Sequence, residues 1–169
     1  MTRLRRLQSF MVLSALLAST FAGGAMPVLA DETSVLHLSD DAFKGKVTYL
    51  FFGFTTCAQV CPMTMGRLAK LQKALDEANA DDRQIVFATI DPKDMPKDVE
   101  AYVAKLAPGI KGMVGSATDL SRLYVATTGR GMPETVSMHS PGVFVIGKDG
   151  NALKRIDTDV PTSVFLEKA

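Results

Sequence analysis

The chain has 169 residues, 47% of them hydrophobic, and its 19 Lys and Arg nearly balance its 18 Asp and Glu. A formal charge of +1 without a block of basic residues argues against a nucleic-acid-binding protein. The length suffices for one domain with a sizeable hydrophobic core.

The first 30 residues are predicted to be a secretory signal peptide. Three arginines within residues 3–6 precede an apolar stretch over residues 10–21, and cleavage would follow Ala30. An uncleaved N-terminal membrane anchor is the alternative. The remaining residues 31–169 are predicted to form a single domain, whose formal charge, without the three arginines, is −2 rather than +1. Export predicts a periplasmic or cell-envelope location, where conditions are oxidising.

The apolar, β-branched and aromatic run over residues 47–54 predicts a strand buried on both faces. It leads into Cys57 and Cys61, and Pro62 then suits the first turn of a helix. Free N–H groups and the dipole at a helix start favour thiolate over thiol, so we expect Cys61 to be an activated cysteine. A disulfide across three residues would stabilise the fold little, and the spacing therefore favours chemistry over a structural cross-link.

Strands and helices alternate along the rest of the chain. A loop over residues 127–138 leads to His139 at the start of the next strand, and a turn at residues 148–151 predicts a hairpin. The predicted strands cover residues 35–38, 47–54, 84–90, 110–114, 143–146 and 152–156, and the predicted helices start near residues 62, 97, 117 and 161. This order predicts an α/β, thioredoxin-like fold with a central mixed β-sheet flanked by helices.

The candidate residues for chemistry are Cys57, Cys61 and His139. Two thiolates and one imidazole suit copper, either as Cu(I) or as Cu(II). In the alternative, a thiol-disulfide oxidoreductase, Cys57 would attack and Cys61 would resolve the mixed disulfide as a redox pair. A peroxidase-like thiol enzyme is a weaker option, since no basic residue adjoins Cys57 in the sequence. His37 lies on an apolar segment and is left out of the site.

Three segments resemble the SCO/SenC family of copper-handling assembly proteins. They are FGFTTCAQVCP at residues 52–62, TIDPKDMP at residues 89–96, and HS at 139–140 followed by VFVIGKDG at 143–150. The resemblance implies a thioredoxin-like fold that binds one copper through Cys57, Cys61 and His139. It also implies a role in loading the binuclear copper centre of cytochrome c oxidase, by copper delivery, by reduction of the target's thiols, or by both.

The same resemblance implies two protein partners: a copper acceptor, such as a cytochrome c oxidase subunit or another cuproenzyme, and a thiol reductant protein. Many family members are held at the membrane by an N-terminal helix, so membrane contact is expected only if residues 1–30 are uncleaved. Asp91 matches a family carboxylate near the site and is expected to tune the metal without binding it.

The sequence departs from the family pattern near each proposed ligand. Ala58-Gln59 replaces the usual Pro-Asp between the cysteines, and Ser137-Met138 precedes the histidine in place of a segment with Asp. Losing both carboxylates should weaken the stabilisation of Cu(II) relative to Cu(I). Pro141 stands near the position of the cis-proline in thioredoxin-like oxidoreductases, and it is either that proline or an ordinary trans loop residue.

Overall fold

The computed structural model of the protein describes residues 35–37, 41–139 and 141–167. The predicted signal peptide lies outside the described residues, and so does Ser140. Within the described part of the chain, no helix combines the length and apolar character that a membrane span requires.

Six strands form one mixed sheet in the part of the chain that the structure describes. They are β1 (Val35–His37), β2 (Val47–Gly53), β3 (Arg83–Thr89), β4 (Lys111–Val114), β5 (Val143–Ile146) and β6 (Ala152–Ile156). Their order across the sheet is β1-β4-β3-β2-β5-β6. Strands β1, β4, β3 and β2 run parallel to one another, whereas β5 is antiparallel to both β2 and β6. The mixed sheet confirms the predicted architecture, and every strand lies within one residue of its predicted bounds.

Within the described ranges, four helices connect or follow the strands. They are α1 (Val60–Glu77), α2 (Pro96–Leu106), α3 (Ala117–Thr128) and α4 (Thr162–Glu167), and a short 3-10 helix covers Val136–Met138. Helix α3 starts at the predicted residue 117, and the Ser116 hydroxyl caps it by accepting a hydrogen bond from the Asp119 N–H. Helix α1 begins two residues before Pro62, which places Cys61 inside its first turn.

The two faces of the sheet have separate hydrophobic cores, because side chains alternate along each strand. On one face, Tyr49 and Phe51 of β2 pack with buried side chains of α1, α2 and α4. On the other face, Leu50 and Phe52 pack with Tyr124 of α3. The apolar run of β2 therefore supplies both cores, as a strand between two neighbours should.

Strand β2 ends at Gly53, where the backbone approaches two side chains closely. A Cβ at this position would lie 2.6 Å from Cε2 of Phe87 and 3.1 Å from the sulfur of Cys61. Because Gly53 has no side chain, the Phe87 ring and the Cys61 sulfur can both pack against the end of the strand. This close packing positions the start of α1, and with it the second cysteine.

Candidate metal and thiol site

The two cysteines lie on the turn from β2 into α1 and are both free thiols. The Cys57 N–H donates to the carbonyl oxygen of Phe54 at 3.2 Å, which closes a tight turn after the strand. The Cys61 N–H donates to the Cys57 sulfur, with 3.3 Å between the nitrogen and the sulfur. The structure therefore brings the predicted pair together, with Cys57 half-buried and Cys61 fully buried.

The expectation that the helix start would activate Cys61 is wrong. Burial, together with the hydrogen bond to Cys57, raises the pKa of the Cys61 thiol to about 12. The residue is 0% exposed. The free-energy cost of removing a thiolate from water is larger than the stabilisation that a helix N-terminus provides. The N–H of Cys61, in the first turn of α1, instead donates a hydrogen bond to the Cys57 sulfur, which lies closer to solvent.

His139 follows the 3-10 helix and is 8% exposed. Its Nδ1 lies 2.8 Å from the carbonyl oxygen of Val136, and the rings of Phe54 and Phe51 contact the imidazole edge-on. Burial lowers the pKa of His139, so the ring is neutral at physiological pH. Its Nε2 is buried and has no hydrogen-bond partner among the described residues.

Cys57 and His139 line one cavity of about 360 Å³, together with Phe54, Val60 and Pro141. Cys61 is not among its lining residues and belongs to the buried core. Across the described residues, no three His, Cys, Asp or Glu side chains are already gathered for a metal ion. The two sulfurs and the imidazole nitrogen are nevertheless the donor types that suit copper, and the unpartnered Nε2 fits a ligand role.

Asp94 is the carboxylate that the sequence reasoning missed. Its Oδ2 accepts from the Thr55 N–H at 2.9 Å and from the Thr89 hydroxyl at 2.5 Å, while its Oδ1 accepts from the Thr55 hydroxyl at 2.5 Å. It thus ties the loop after β3 to the cysteine turn, and its charge contributes to the raised pKa of Cys61. The sequence signal for this role was a second Asp in the segment 89–96, with Thr89 at the end of β3 and Thr55 shortly after β2.

Asp91, the carboxylate expected near the site, occupies a different place in the same loop. Its Oδ1 accepts from the Lys93 N–H at 2.9 Å, within its own turn. Among the described residues, no hydrogen bond joins the Asp91 side chain to Cys57 or Cys61, whereas Asp94 accepts from the Thr55 N–H just before the two cysteines. The tuning role proposed for Asp91 stays a prediction.

The other residues singled out in the sequence are spread around the site. Met138 is 69% exposed, so its thioether faces solvent beside the histidine. Pro141 lines the cavity with Cys57, but the peptide bond before it involves Ser140 and lies outside the described residues. His37 is in edge strand β1, separated from β2 by β4 and β3, which agrees with its omission from the site.

Comparisons with known proteins identify relatives of this chain. A sequence model of the SCO1/SenC family matches residues 29–169. A protein of Stutzerimonas stutzeri whose name describes it as copper-binding is 31% identical over 114 residues, covering 67% of this chain and 54% of that protein. This chain thus spans about half the length of that relative.

Two solved structures have the same fold. Arabidopsis thaliana ScoI with copper bound is 26% identical, with a TM-score of 0.64 over 77% of this chain and 85% of that one. BsSco is described as having a disulfide switch and as a member of the Sco family of cytochrome c oxidase assembly proteins. It is 25% identical, with a TM-score of 0.61 over 74% of this chain and 78% of that one.

Proposed function

We propose that this chain, which belongs to the SCO1/SenC family, binds one copper ion through Cys57, Cys61 and His139 and delivers it to a cuproenzyme such as cytochrome c oxidase. The observation that carries the proposal is the Nε2 of His139, which is buried, neutral and without a partner among the described residues. A buried lone pair without a donor is unfavourable unless a ligand uses it. Copper is a suitable ligand, because Cys57 lines the same cavity.

The donor set favours Cu(I) as the cargo. Thiolate sulfur is the ligand that Cu(I) prefers, and imidazole is compatible with it. Ala58 and Gln59 stand between the cysteines, so no carboxylate there can offset the charge of Cu(II). The copper-bound relative from Arabidopsis thaliana and the copper-binding protein from Stutzerimonas stutzeri support the choice of metal.

The three residues would take different parts in binding and release. Cys57 lines the cavity and would be the first sulfur to meet an incoming ion or a partner's thiolate. Cys61 is held as a neutral thiol by burial, so binding must release its proton. His139 already has a neutral ring, and it would bind through Nε2 without losing a proton. A partner's thiolates would then displace Cys57 first and the buried Cys61 last.

Thiol-disulfide exchange is the second candidate function. It is favoured by the contact of the Cys61 N–H with the Cys57 sulfur, which keeps the two residues close, and by the greater exposure of Cys57. Cys57 would attack a disulfide of the target, and Cys61 would resolve the mixed disulfide as it loses its proton. The disulfide switch of BsSco supports this candidate.

We propose the cell envelope as the location, because residues 1–30 have the pattern of a secretory signal. The partners there would be a copper-acceptor protein and a protein that keeps the two cysteines reduced. If the segment is uncleaved, it would hold the domain at the membrane. The mass of the protein isolated from periplasmic and membrane fractions distinguishes these cases.

Anaerobic titration of the reduced protein with Cu(I), against a competing chelator, tests the proposed site. We expect one copper per chain, lost on Cys57→Ser or Cys61→Ser and weakened on His139→Ala. The matched control is His37→Ala, which replaces the only other histidine and should bind copper as the wild type does.

The outcomes of this titration separate the two functions. Equal copper affinity in His139→Ala and His37→Ala would contradict the three-ligand site. Absence of specific copper uptake, together with a readily cycled disulfide between Cys57 and Cys61, would favour the oxidoreductase.

A further inference from the structure

A second cavity, of about 510 Å³, adjoins the cavity of Cys57. His139 and Pro141 line both, so the two cavities meet at the proposed copper ligand. Arg130 and Arg155 also line the second cavity, and the described residues around it include no Asp or Glu. This arginine cavity therefore places positive charge directly beside His139.

Arg155 is held in the arginine cavity by close packing on Gly142. A Cβ at Gly142 would lie 2.8 Å from Cγ and 2.9 Å from Cδ of Arg155, so the absence of a side chain lets the arginine cross the backbone there. The Nη1 of Arg155 pairs with Asp157 at 2.5 Å, in an exposed ion pair. A guanidinium has five N–H donors, so Arg155 can also bind a second carboxylate.

Arg130 lies just after α3 and is exposed. Its backbone N–H donates to the Thr128 hydroxyl at 3.1 Å, which fixes the chain at this point. In the part of the chain that the structure describes, no carboxylate forms an ion pair with its guanidinium. Since residues 31–169 have a formal charge of −2, the two arginines are a local concentration of positive charge on a slightly acidic domain.

Two exposed apolar side chains extend the surface around these cavities. Val60 lines the Cys57 cavity and is 42% exposed, and Met138 lines the arginine cavity and is 69% exposed. Protein interfaces combine apolar contacts with polar and charged groups at their edges. A protein could cover both side chains while one of its carboxylates meets the arginines, whereas a small anion could not.

We propose that the arginine cavity receives a carboxylate of the protein that exchanges copper or disulfides at Cys57, so that this partner presents an Asp or Glu next to its own cysteines. The inference rests on the proposed function, because that function brings the partner's sulfur to Cys57. A guanidinium matches a carboxylate in shape and forms charge-assisted hydrogen bonds with it. The positive charge would also steer an acidic partner toward the site during encounter.

Two synthetic peptides serve as probes. Each has one cysteine joined to pyridinethiol as a mixed disulfide, flanked by glutamates in the acidic peptide and by glutamines in the neutral one. The Cys57 thiolate attacks the peptide's sulfur and forms a disulfide with it. The bond to the pyridine group breaks, and its electron pair leaves on pyridinethiolate, which takes up a proton and is followed by its absorbance. Because the leaving group is the same, the ratio of the two rates depends only on the flanking side chains.

The reduced, metal-free full chain is tested with both peptides. We expect the wild type to react about tenfold faster with the acidic peptide at low ionic strength, and high salt should bring the ratio toward one. Arg130→Gln and Arg155→Gln should each lower the ratio about threefold. The matched control Lys73→Gln also removes one exposed positive charge, about 18 Å along α1 from Cys61, and should keep the wild-type ratio.

Three results would overturn the inference: a wild-type ratio near one, a wild-type ratio in both arginine variants, or an equal fall in Lys73→Gln. The last would trace the preference to the overall charge of the domain. Both arginines are exposed, and the rate with the neutral peptide checks that Cys57 stays reactive in each variant. If the wild type bound no Cu(I), the proposed copper function would fail separately, and the peptide ratio would still decide the role of the arginine cavity.

Discussion

The carbonyl oxygen of Val136 accepts hydrogen bonds from both the backbone N–H and the ring Nδ1 of His139, at 3.3 Å and 2.8 Å. A carbonyl oxygen can only accept, so the ring proton is on Nδ1 and the free lone pair is on Nε2. One atom of the 3-10 helix thus determines both the tautomer and the orientation of the imidazole. Such a contact to the second ring nitrogen is typical of histidines that bind metals.

The buried neutral histidine should make stability depend on pH. Burial lowers the pKa of His139 below its ordinary value of 6.5, so over the range between the two values the unfolded chain binds a proton that the folded chain does not. This contribution to stability is complete above pH 6.5. It is lost as the pH falls from there to the lowered pKa, at no more than about 1.4 kcal/mol per pH unit.

Urea denaturation of the metal-free protein between pH 8 and pH 5 measures this effect. His139→Gln should flatten the curve below about pH 6.5, whereas His37→Gln serves as the control and should retain the wild-type slope. A wild-type slope in His139→Gln would mean that another group causes the pH dependence.

The two cysteines should react with alkylating reagents at very different rates. The Cys61 thiol is fully buried and its pKa is raised to about 12, while Cys57 lines an open cavity. Since the thiolate is the reactive form, iodoacetamide at pH 8 should modify Cys57 at least about tenfold faster than Cys61.

Mass spectrometry of Cys57→Ser and Cys61→Ser over time follows one thiol in each variant. Urea should remove the difference between them, since unfolding exposes both sulfurs. Equal rates in the folded variants would show that Cys61 is more accessible than its burial indicates.

Replacement of Asp94 should destabilise the fold more than replacement of Asp91. Asp94 accepts three hydrogen bonds from Thr55 and Thr89, and an amide at this position cannot accept all of them. We expect Asp94→Asn to lower the free energy of unfolding by about 1–3 kcal/mol. The control Asp91→Asn should change it by less than about 0.5 kcal/mol, because its side chain closes only a surface turn. Denaturant titration of both reduced variants compares them, and equal losses would refute the assigned role of Asp94.

The end of β2 should not tolerate a side chain at Gly53. A Cβ there would meet Phe87 and Cys61 at 2.6 Å and 3.1 Å, so we expect Gly53→Ala to cost about 1–3 kcal/mol of stability. Gly66 lies in α1 with nothing within 4 Å of an added Cβ. The control Gly66→Ala should therefore raise stability by about 0.5–1 kcal/mol, because alanine favours helix. Thermal denaturation of the two variants measures the difference. Unchanged stability in Gly53→Ala would show that the neighbouring side chains can move to make room for the added methyl group.

The elements that the sequence predicted well are those with a strong local pattern. The apolar run at β2, the alternation of strands with helices and the start of α3 at residue 117 are all visible within a few residues. The cysteine turn that leads into a helix is equally local, although α1 starts two residues earlier than predicted. These features follow from the conformational preferences of the residues and from the spacing of the hydrophobic ones, and both are properties of a short segment by itself.

The protonation of the site was decided by tertiary structure. The helix start next to Cys61 predicted a thiolate there. Packing against the Phe87 ring and the end of β2 instead removes this sulfur from water. Likewise, Asp94 meets Thr55 across 39 residues of sequence. The sequence by itself determined which donor atoms the protein has and on which elements they lie. Their burial, and therefore their charge, depends on neighbours brought together from distant segments, since the free energy of an ionised group is set by everything around it.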